Sequence, residues 1–588
     1  MYRQLVRGWR LVSLSTLVVA VVANGAWLQA PAPSQDQVPA PTIRVSTHLV
    51  LVDVVVTDKQ GKPIPGLRPE DFEVEENGKV QKISTFVPTG ANLAAAEPLP
   101  PGIYSNKPQY RAPGGPITVM LLDAVNTPYS DQAYARRQML AFVQQQLKPG
   151  QRMAVFTLTG PLNVLQDFTS NPQVLAAALQ RYKPQAQEFI TASRAETGAA
   201  AGNATTASTV TALDASVPPS NSGGDSSELS RSGAAGQIAS AQAALAAFAG
   251  AQSGYAEDQR AVLSLNALNS MARILGGLPG RKNIIWVTGN LPFSLVPENR
   301  TMTDAELEET LPSLDTRRVG QHAAGTAAAT FRQSHAGDIR ELEARLTSAQ
   351  VAVYPVDARG LTLSTSTDSQ ETMLDIAHET GGRAYVNQNE IKFGVERAFQ
   401  DSAASYTIGY YPENKKYDGK YRTIKVKVKR DGVDLQHRRG YFAVDPVQIK
   451  GPNAEQAVTS ALNDVAPSTM VAFTAQVVPS AENRSAKGKV GVSFLVDAAT
   501  VSAEDAGSGK KLNLAFYAAV YSPDGKMVTN RSMKVDQTFD ANTYQQIVQH
   551  GLLLHMDLDP QPGNNQLRLG VQDNRTGLVG SLGAPMPQ

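Results

Sequence analysis

The sequence of 588 residues predicts an α/β fold with a doubly wound, mostly parallel sheet, flanked by β-sandwich domains. Residues Ile117–Leu122 form an unbroken apolar and β-branched run that ends at Asp123, as expected for a central strand buried on both faces. Helical and strand-like patterns then alternate over most of residues 116–403, which is the arrangement that a doubly wound sheet requires. Sheets of this type bind ligands at the carboxyl ends of their strands, where Asp123 is placed.

Composition excludes several classes of protein. The 54 Lys and Arg residues nearly balance the 53 Asp and Glu residues, so no global field favours nucleic acid or an anionic membrane. The chain has no cysteine, which excludes disulfides, thiolate metal sites and a lipid-modified cysteine. An exported protein of this size without disulfides is more typical of a bacterium than of an animal.

The amino terminus has the pattern of a targeting segment. Three arginines within the first ten residues precede the apolar run Leu11–Ala23, and small residues follow. This pattern predicts a secretory signal peptide over residues 1–26, followed by a linker over residues 27–41. The alternative is an uncleaved anchor, for which an apolar run of this length is short. We therefore expect an exported protein, in the periplasm, at the cell surface or secreted, with no membrane span after cleavage.

Two short β units bracket the α/β domain. Residues 42–92 contain the alternating run Val50–Val56 and a hairpin signal at Asn77-Gly78. Residues 404–445 contain Ile424–Lys429, in which apolar residues alternate with lysines. Each unit is too small to be stable alone and presents one apolar face, so we expect the two to form one β-sandwich into which the α/β domain is inserted.

The remaining predicted segments, in chain order, are a linker (93–115), the α/β domain (116–403) with a low-complexity insertion (195–254) and a long polar loop (296–334), a second linker (446–467), and a C-terminal β-sandwich domain (468–588).

No sequence motif indicates enzyme chemistry. His378-Glu379 is not followed by a second histidine at zincin spacing, and the Gly-x-Ser-x-Gly pattern of a nucleophile elbow is absent. His550 and His555 are interpreted as parts of a turn and a strand rather than as metal ligands. We therefore expect a protein that is not an enzyme, although a constellation assembled only in space stays open.

Eight short strings follow one another in order along residues 42–443. They are Leu49–Val56, Asp71–Val74, Leu122–Pro128, Leu278–Lys282, Val353–Gly360, Thr380–Ala384, Gly409–Pro412 and Arg439–Phe442. On these strings, residues 116–402 resemble the von Willebrand factor type A domain. The longer span 42–443 resembles the VWFA-related domain family of acidobacterial exported proteins.

The resemblance implies a metal-ion-dependent adhesion site at the carboxyl edge of the sheet. In such sites Asp-x-Ser-x-Ser, a distant Thr and a further Asp surround Mg²⁺ or Mn²⁺, and a partner carboxylate completes the coordination. Asp123 matches the first acid and Thr127 the last hydroxyl, whereas Val125 replaces the middle hydroxyl.

The second half of the motif is also eroded. The expected Thr-Asp-Gly stands here as Thr288-Gly289-Asn290, so the second acid is missing. The further candidate ligands, which no motif assigns, are Asn126, Thr288, Asn290 and Asp357. With one clear carboxylate, we expect Mg²⁺ or Mn²⁺ to bind weakly or not at all.

Both acids have a structural alternative. Asp123 ends a strand and is placed to accept the backbone N–H groups of Asn126 and Thr127. Asp357 lies two residues before Arg359, which predicts an ordinary ion pair.

Two functions follow as expectations. The first is an exported, non-enzymatic binding or adhesion-type protein that presents a surface for a protein partner at the Asp123 edge. The alternative is a structural or assembly scaffold of the cell envelope with a vestigial, metal-free site. The sequence identifies neither the partner nor the oligomeric state.

Overall fold

The structure is a computed structural model that describes residues 49–88, 97–111, 117–145, 147, 151–185, 256–292, 336–360, 367–387, 391–403, 405–444 and 454–587. The predicted signal peptide and first linker (1–41), the insertion (195–254) and the long loop (296–334) lie outside the described residues.

The strands are β1 (Val50–Asp58), β2 (Phe72–Glu76), β3 (Lys79–Gln81), β4 (Ile83–Pro88), β5 (Ile103–Ser105), β6 (Ile117–Asp123), β7 (Arg152–Leu158), β8 (Leu162–Thr169), β9 (Lys282–Thr288), β10 (Val351–Asp357), β11 (Ser405–Tyr410), β12 (Tyr421–Val428), β13 (Val433–Gln436), β14 (Gly440–Phe442), β15 (Phe473–Val478), β16 (Val490–Val496), β17 (Glu504–Ala506), β18 (Gly509–Tyr521), β19 (Met527–Asp540), β20 (Leu552–Leu558), β21 (Gln566–Asp573) and β22 (Val579–Pro585). The helices are α1 (Pro108–Arg111), α2 (Tyr129–Gln145), α3 (Pro172–Arg181), α4 (256–275), α5 (Ala336–Ser348), α6 (Thr367–Thr380), α7 (Ile391–Ala403), α8 (Ala454–Asn463) and α9 (Ala541–His550), with 3-10 turns at Pro69–Asp71 and Ala498–Thr500.

The strands before and after the α/β domain share two sheets. Their orders are β13-β1-β11-β4 and β14-β12-β2-β3. Val54 faces Tyr406 across the β1–β11 pair, and Val74 faces Val426 across the β2–β12 pair. The apolar faces of these strands meet in one core, so the α/β domain lies in sequence between strands of a single β-sandwich.

The α/β domain has one five-stranded sheet with the order β10-β9-β6-β7-β8. β6 runs parallel to β7 and β9, and β10 runs parallel to β9, whereas β8 is antiparallel to β7. Within the described ranges the other sheets are antiparallel. The prediction of a mostly parallel sheet is therefore right for this one mixed sheet and too broad for a chain whose strands are mostly in antiparallel sheets.

Helices cover both faces of this sheet because β6 is apolar on both. Met120 and Leu122 point into one core, with α2, α3 and α7, while Val119 and Leu121 point into the other, with α4, α5 and α6. All seven residues of β6 are buried, so its carboxyl end at Asp123 is held rigidly between two helical layers.

Residues 93–115, predicted as a linker, contain a strand of the C-terminal sandwich. β5 pairs with β15, and Tyr104 packs against the core between the sheets β20-β16-β15-β5 and β17-β18-β21-β22. β19 pairs with β18 outside this strand order. The linker prediction failed because a three-residue edge strand is too short for a visible alternation.

The second linker prediction, over residues 446–467, is also corrected. This segment contains α8. The helix packs its Val458, Ala461 and Leu462 on the outer face of the sheet β17-β18-β21-β22 of the C-terminal sandwich. Helix α9 was not predicted either. It begins at the N-cap Asp540, whose side chain accepts the N–H groups of Asn542 and Thr543, between two strand patterns.

Specific contacts join the C-terminal sandwich to the α/β domain. Arg273 at the end of α4 binds both carboxylate oxygens of Asp464, at 2.8 and 2.9 Å. The Thr469 hydroxyl donates to the carbonyl of Ile274 (2.8 Å) and accepts the N–H of Gly277 (2.9 Å). One domain thus caps the last turn of a helix in the other.

The N-terminal sandwich is joined to the α/β domain in the same way. Gln350 donates to Asp53 (3.1 Å), and Arg397 donates to the carbonyl of Gly61 (2.9 Å). Within the part of the chain that the structure describes, no helix is long and apolar enough to cross a membrane.

Candidate functional site

Asp123 is the centre of the edge that the sequence singled out. It ends β6, and its Oδ1 accepts the backbone N–H groups of Val125 and Asn126, each at 2.9 Å. Such a turn is what an aspartate makes when the chain must reverse at the end of a strand. The structural role expected for Asp123 is thus present, with Val125 as a donor where Thr127 was expected.

The second carboxylate oxygen receives three side chains. Asp123 Oδ2 accepts the Asn126 amide at 2.8 Å, the Thr288 hydroxyl at 2.9 Å and the Trp286 indole N–H at 3.0 Å. Trp286 and Thr288 lie two residues apart on β9, so both point to the same face of the sheet. Five donors therefore converge on a carboxyl group whose residue is only 2% exposed.

Two opposing effects act on this carboxyl group. Burial raises the pKa of Asp123, because the charged form loses its hydration. The hydrogen bonds from Asn126, Thr288 and Trp286 lower that pKa, because each donor favours the carboxylate. Arg260 on α4, itself buried, is attracted by the same charge. Burial is the larger effect, so the pKa of Asp123 is raised overall, and the donors offset only part of the cost of burying the charge.

The other predicted site residues lie around Asp123. The Thr127 hydroxyl accepts the N–H of Gly289 at 2.9 Å, and the Asn126 amide also donates to Ser264 of α4 at 2.9 Å. Asn290 takes part through its backbone, since its carbonyl lies 2.7 Å from the Thr288 hydroxyl.

Asp357 is held separately. It ends β10 beside Thr288, and its two oxygens bind the Arg359 guanidinium at 2.9 and 2.8 Å. The expected ion pair is therefore formed, and among the described residues the side chain of Asp357 pairs with Arg359 rather than with the residues around Asp123.

Sequence reasoning missed Trp286, Ser264 and Arg260. Trp286 lies within a buried strand, where a large hydrophobic side chain is expected to belong to the core. Ser264 and Arg260 lie on a helix far from Asp123 in the sequence. No local pattern connects them to Asp123, from which Trp286 is 163 residues away.

The residues at this edge do not fit a divalent metal. An indole N–H can only donate, so the side of Oδ2 that faces Trp286 cannot bind a cation. Among the described residues at this edge, Asp123, Asn126, Thr127 and Thr288 are each at most 5% exposed, so none of these four offers an open position to a partner carboxylate. Throughout the described residues, no group of three His, Asp, Glu or Cys is placed to hold a metal.

A side chain at Gly289 would crowd its neighbours. A Cβ atom there would lie 3.0 Å from the backbone oxygen of Asn126 and 3.2 Å from Pro128. The turn after β6 therefore packs closely against Gly289. Chemically, this edge locks the turn after β6 to the end of β9 and to α4.

Comparison with known proteins gives only distant likenesses. No protein-family model and no curated protein matches the chain. Among solved structures, conserved hypothetical protein BatB from Bacteroides thetaiotaomicron is 13% identical, with 49% of this chain and 99% of that chain covered and a TM-score of 0.21. Proximal thread matrix protein 1 from the mussel byssus is 9% identical, covering 49% and 48%, with a TM-score of 0.21.

A third structure is a von Willebrand factor type A protein from Catenulispora acidiphila. It is 8% identical, with 89% of this chain and 73% of that chain covered and a TM-score of 0.21. Likenesses this weak carry no argument about function. The chain is a weak structural neighbour of a von Willebrand factor type A domain.

Proposed function

We propose that this chain is an exported structural or assembly scaffold of the cell envelope, built around a von Willebrand factor type A-like domain whose adhesion site is closed and metal-free. The observation that carries the proposal is the buried carboxylate of Asp123, which receives five protein donors. A site that recruits a ligand through a metal needs the opposite arrangement, with free carboxylate oxygens and an open coordination position.

The way the three units are joined supports a scaffold. The N-terminal sandwich contains strands from both sides of the α/β domain, and β5 ties the segment before that domain into the C-terminal sheet. The Arg273–Asp464 pair and the Thr469 cap fix the C-terminal sandwich to α4. Domains joined in this way hold their outer surfaces at fixed distances from one another. This arrangement suits the assembly of other proteins more than the capture of a ligand by flexibly linked domains.

Export and a protein partner are supported by the sequence. The arginine-rich amino terminus with its short apolar run is typical of a secretory signal, and the absence of cysteine suits a bacterial envelope. The near-zero net charge gives no electrostatic reason for nucleic acid or lipid binding, so the partner of this scaffold is another protein.

Thermal unfolding with and without metal tests the proposal. We expect the melting temperature of the full chain to be the same in a chelator and in millimolar Mg²⁺ or Mn²⁺, because the carboxylate oxygens of Asp123 and Asp357 are already paired with protein donors. Asp123→Ala should lower the melting temperature equally in both conditions, since the loss is one of internal hydrogen bonds.

Asp357→Asn is the matched control, because it weakens an ion pair at the neighbouring strand end and leaves the Asp123 cluster intact. A rise in melting temperature on adding metal that disappears in Asp123→Ala would overturn the closed site. That result would support the metal-dependent adhesion protein instead.

A further inference from the structure

The C-terminal sandwich carries a hydrogen-bonded chain of Ser493, His555 and Asp557. Ser493 Oγ lies 3.0 Å from His555 Nδ1, and His555 Nε2 lies 3.1 Å from Asp557 Oδ1. Ser493 and His555 are direct cross-strand partners on β16 and β20, and Asp557 follows His555 on the same face of β20. Three side chains that sequence analysis left unconnected thus form one relay.

The partners fix the tautomer of the histidine. A carboxylate only accepts hydrogen bonds, so the imidazole proton lies on Nε2, between His555 and Asp557. Nδ1 then carries the lone pair and accepts the hydroxyl proton of Ser493. This arrangement of nucleophile, base and orienting acid is the one by which a serine hydroxyl is activated.

Two further residues shape the relay. The buried Asn483 donates its amide to Asp557 Oδ1 at 2.8 Å and so holds the carboxylate toward His555. Gly491 lies between them, and a Cβ atom there would be 3.1 Å from His555 Cε1 and 3.0 Å from the Asn483 amide nitrogen. The glycine leaves room for the imidazole ring to lie against the sheet.

The relay is accessible from solvent. The side chains of His555 and Asp557 are 35% and 25% exposed, and Ser493 is half-buried. Gln476 on β15 is the direct partner of Ser493 on the side opposite to His555. Its side chain therefore leaves the sheet on the same face as the Ser493 hydroxyl, and an amide can donate to an oxyanion.

Apolar residues adjoin the relay on one side. Leu495 and Leu553 are cross-strand partners one step along the same face, and Leu553 is 39% exposed. This small open apolar surface suits a short aliphatic acyl chain rather than a long or bulky one.

We propose that Ser493 is a nucleophile that accepts acyl groups from short-chain carboxylic esters, with His555 as its base. Ser493 Oγ forms a bond to the carbonyl carbon while its proton passes to His555 Nδ1. The ester C–O bond then breaks, and the leaving alkoxide takes that proton to become the alcohol. Water, deprotonated by His555, cleaves the acyl-serine to give the carboxylic acid and restores the hydroxyl.

In this scheme Asp557 is a positioning residue, and Gln476 stabilises the oxyanion. The activity is additional to the scaffold function and departs from the expectation that the protein is not an enzyme. It also stands on a different domain, so either proposal can fail without the other.

Covalent labelling of the full chain with a fluorophosphonate tests the nucleophile. The reagent loses fluoride as Ser493 Oγ bonds to phosphorus, and peptide mass spectrometry locates the adduct. We expect an adduct on Ser493 in the wild type and none in Ser493→Ala. Ser105→Ala is the matched control, because Ser105 lies on β5 of the same sheet and contacts Thr474 instead of a histidine.

His555→Gln tests the base. We expect it to slow labelling, and the hydrolysis of p-nitrophenyl acetate, by about 100-fold or more, as loss of a general base does. Unfolding curves that match the wild type show that the fold is kept. No adduct on the wild type, equal labelling of Ser493→Ala, or an unchanged rate in His555→Gln would each overturn the proposal.

Discussion

The side chains of Asp123 and Asp557 both accept hydrogen bonds from several protein groups. They differ in the number of donors and in their exposure to solvent. Asp123 receives five donors and is 2% exposed. Asp557 receives the His555 imidazole and the Asn483 amide, and its side chain is 25% exposed.

The difference separates a closed structural site from an open arrangement of polar side chains. A buried carboxylate surrounded by donors cannot exchange any of them without leaving a polar group unpaired, so it fixes the chain. A carboxylate with few donors and some water can orient a histidine whose proton still moves. The edge around Asp123 is thus the closed one, and the relay of Ser493, His555 and Asp557 is the open one.

Removing Asp123 should have the largest effect. Asp123→Ala removes the acceptor of five buried donors, of which the Thr288 hydroxyl keeps a second acceptor in the Asn290 carbonyl, so we expect a loss of about 3–5 kcal/mol in the free energy of unfolding. Urea unfolding followed by tryptophan fluorescence measures it. Asp123→Asn keeps the volume and should lose nearly as much, because its amide would face other donors. A loss below about 1 kcal/mol in either variant would show that the network is not structural.

Glu343 extends the comparison to a buried carboxyl group with a poorer set of donors. Neither of its oxygens has a hydrogen-bond partner of normal geometry among the described residues, and the residue is 2% exposed. Burial, and next the charge of Glu379, raise the pKa of Glu343 to about 8, while Arg438 and the Phe442 backbone oppose the rise. In the folded protein at neutral pH this carboxyl group keeps its proton.

The raised pKa of Glu343 makes the stability of the fold depend on pH. In the unfolded chain Glu343 releases its proton near pH 4.5, whereas in the folded protein it keeps it until about pH 8, so stability falls as the pH rises between these values. Glu343→Gln cannot ionise, and its unfolding free energy should fall less between pH 5 and pH 9, by roughly 2–4 kcal/mol. Urea unfolding at several pH values measures this, and parallel curves for the two proteins would contradict it.

Gly289 and Gly491 compare the rigidity of the two sites. The missing side chain of Gly289 faces backbone oxygen and a proline, whereas that of Gly491 faces the ends of the Asn483 and His555 side chains. We expect Gly289→Ala to lower the unfolding free energy by about 1–3 kcal/mol, because the turn after β6 must shift. Gly491→Ala should cost less, since two side chains can move aside. Equal losses would show that the edge near Asp123 is as adaptable as the relay.

The fold could be predicted where the pattern was long. The apolar run of β6, followed in the sequence by amphipathic helix patterns, predicts a buried parallel strand. The structure has that strand in the centre of the mixed sheet. β5 and α8 could not be predicted because one is a three-residue edge strand and the other a short helix in a polar stretch. Their partners lie hundreds of residues away or on another sheet, where local pattern carries no signal.

The sites show the same limit. Asp123 was found because a carboxylate at a strand end has a position that the fold class predicts. Trp286, which decides against a metal there, was hidden in a strand pattern 163 residues away. Ser493 and His555 are 62 residues apart on different strands, so only the register of β16 against β20 brings them together.

Asp557→Asn should have the smallest effect on stability of these variants. It should still distinguish the role of Asp557 from that of Asp123. The side chain is partly exposed and an amide can keep a contact with His555, so we expect the unfolding free energy to change by no more than about 0.5 kcal/mol. Fluorophosphonate labelling of Ser493 should nevertheless slow, because an amide can hold the imidazole in the wrong tautomer. If the labelling rate stays unchanged, Asp557 does not position His555, and the contrast with Asp123 is one of burial alone.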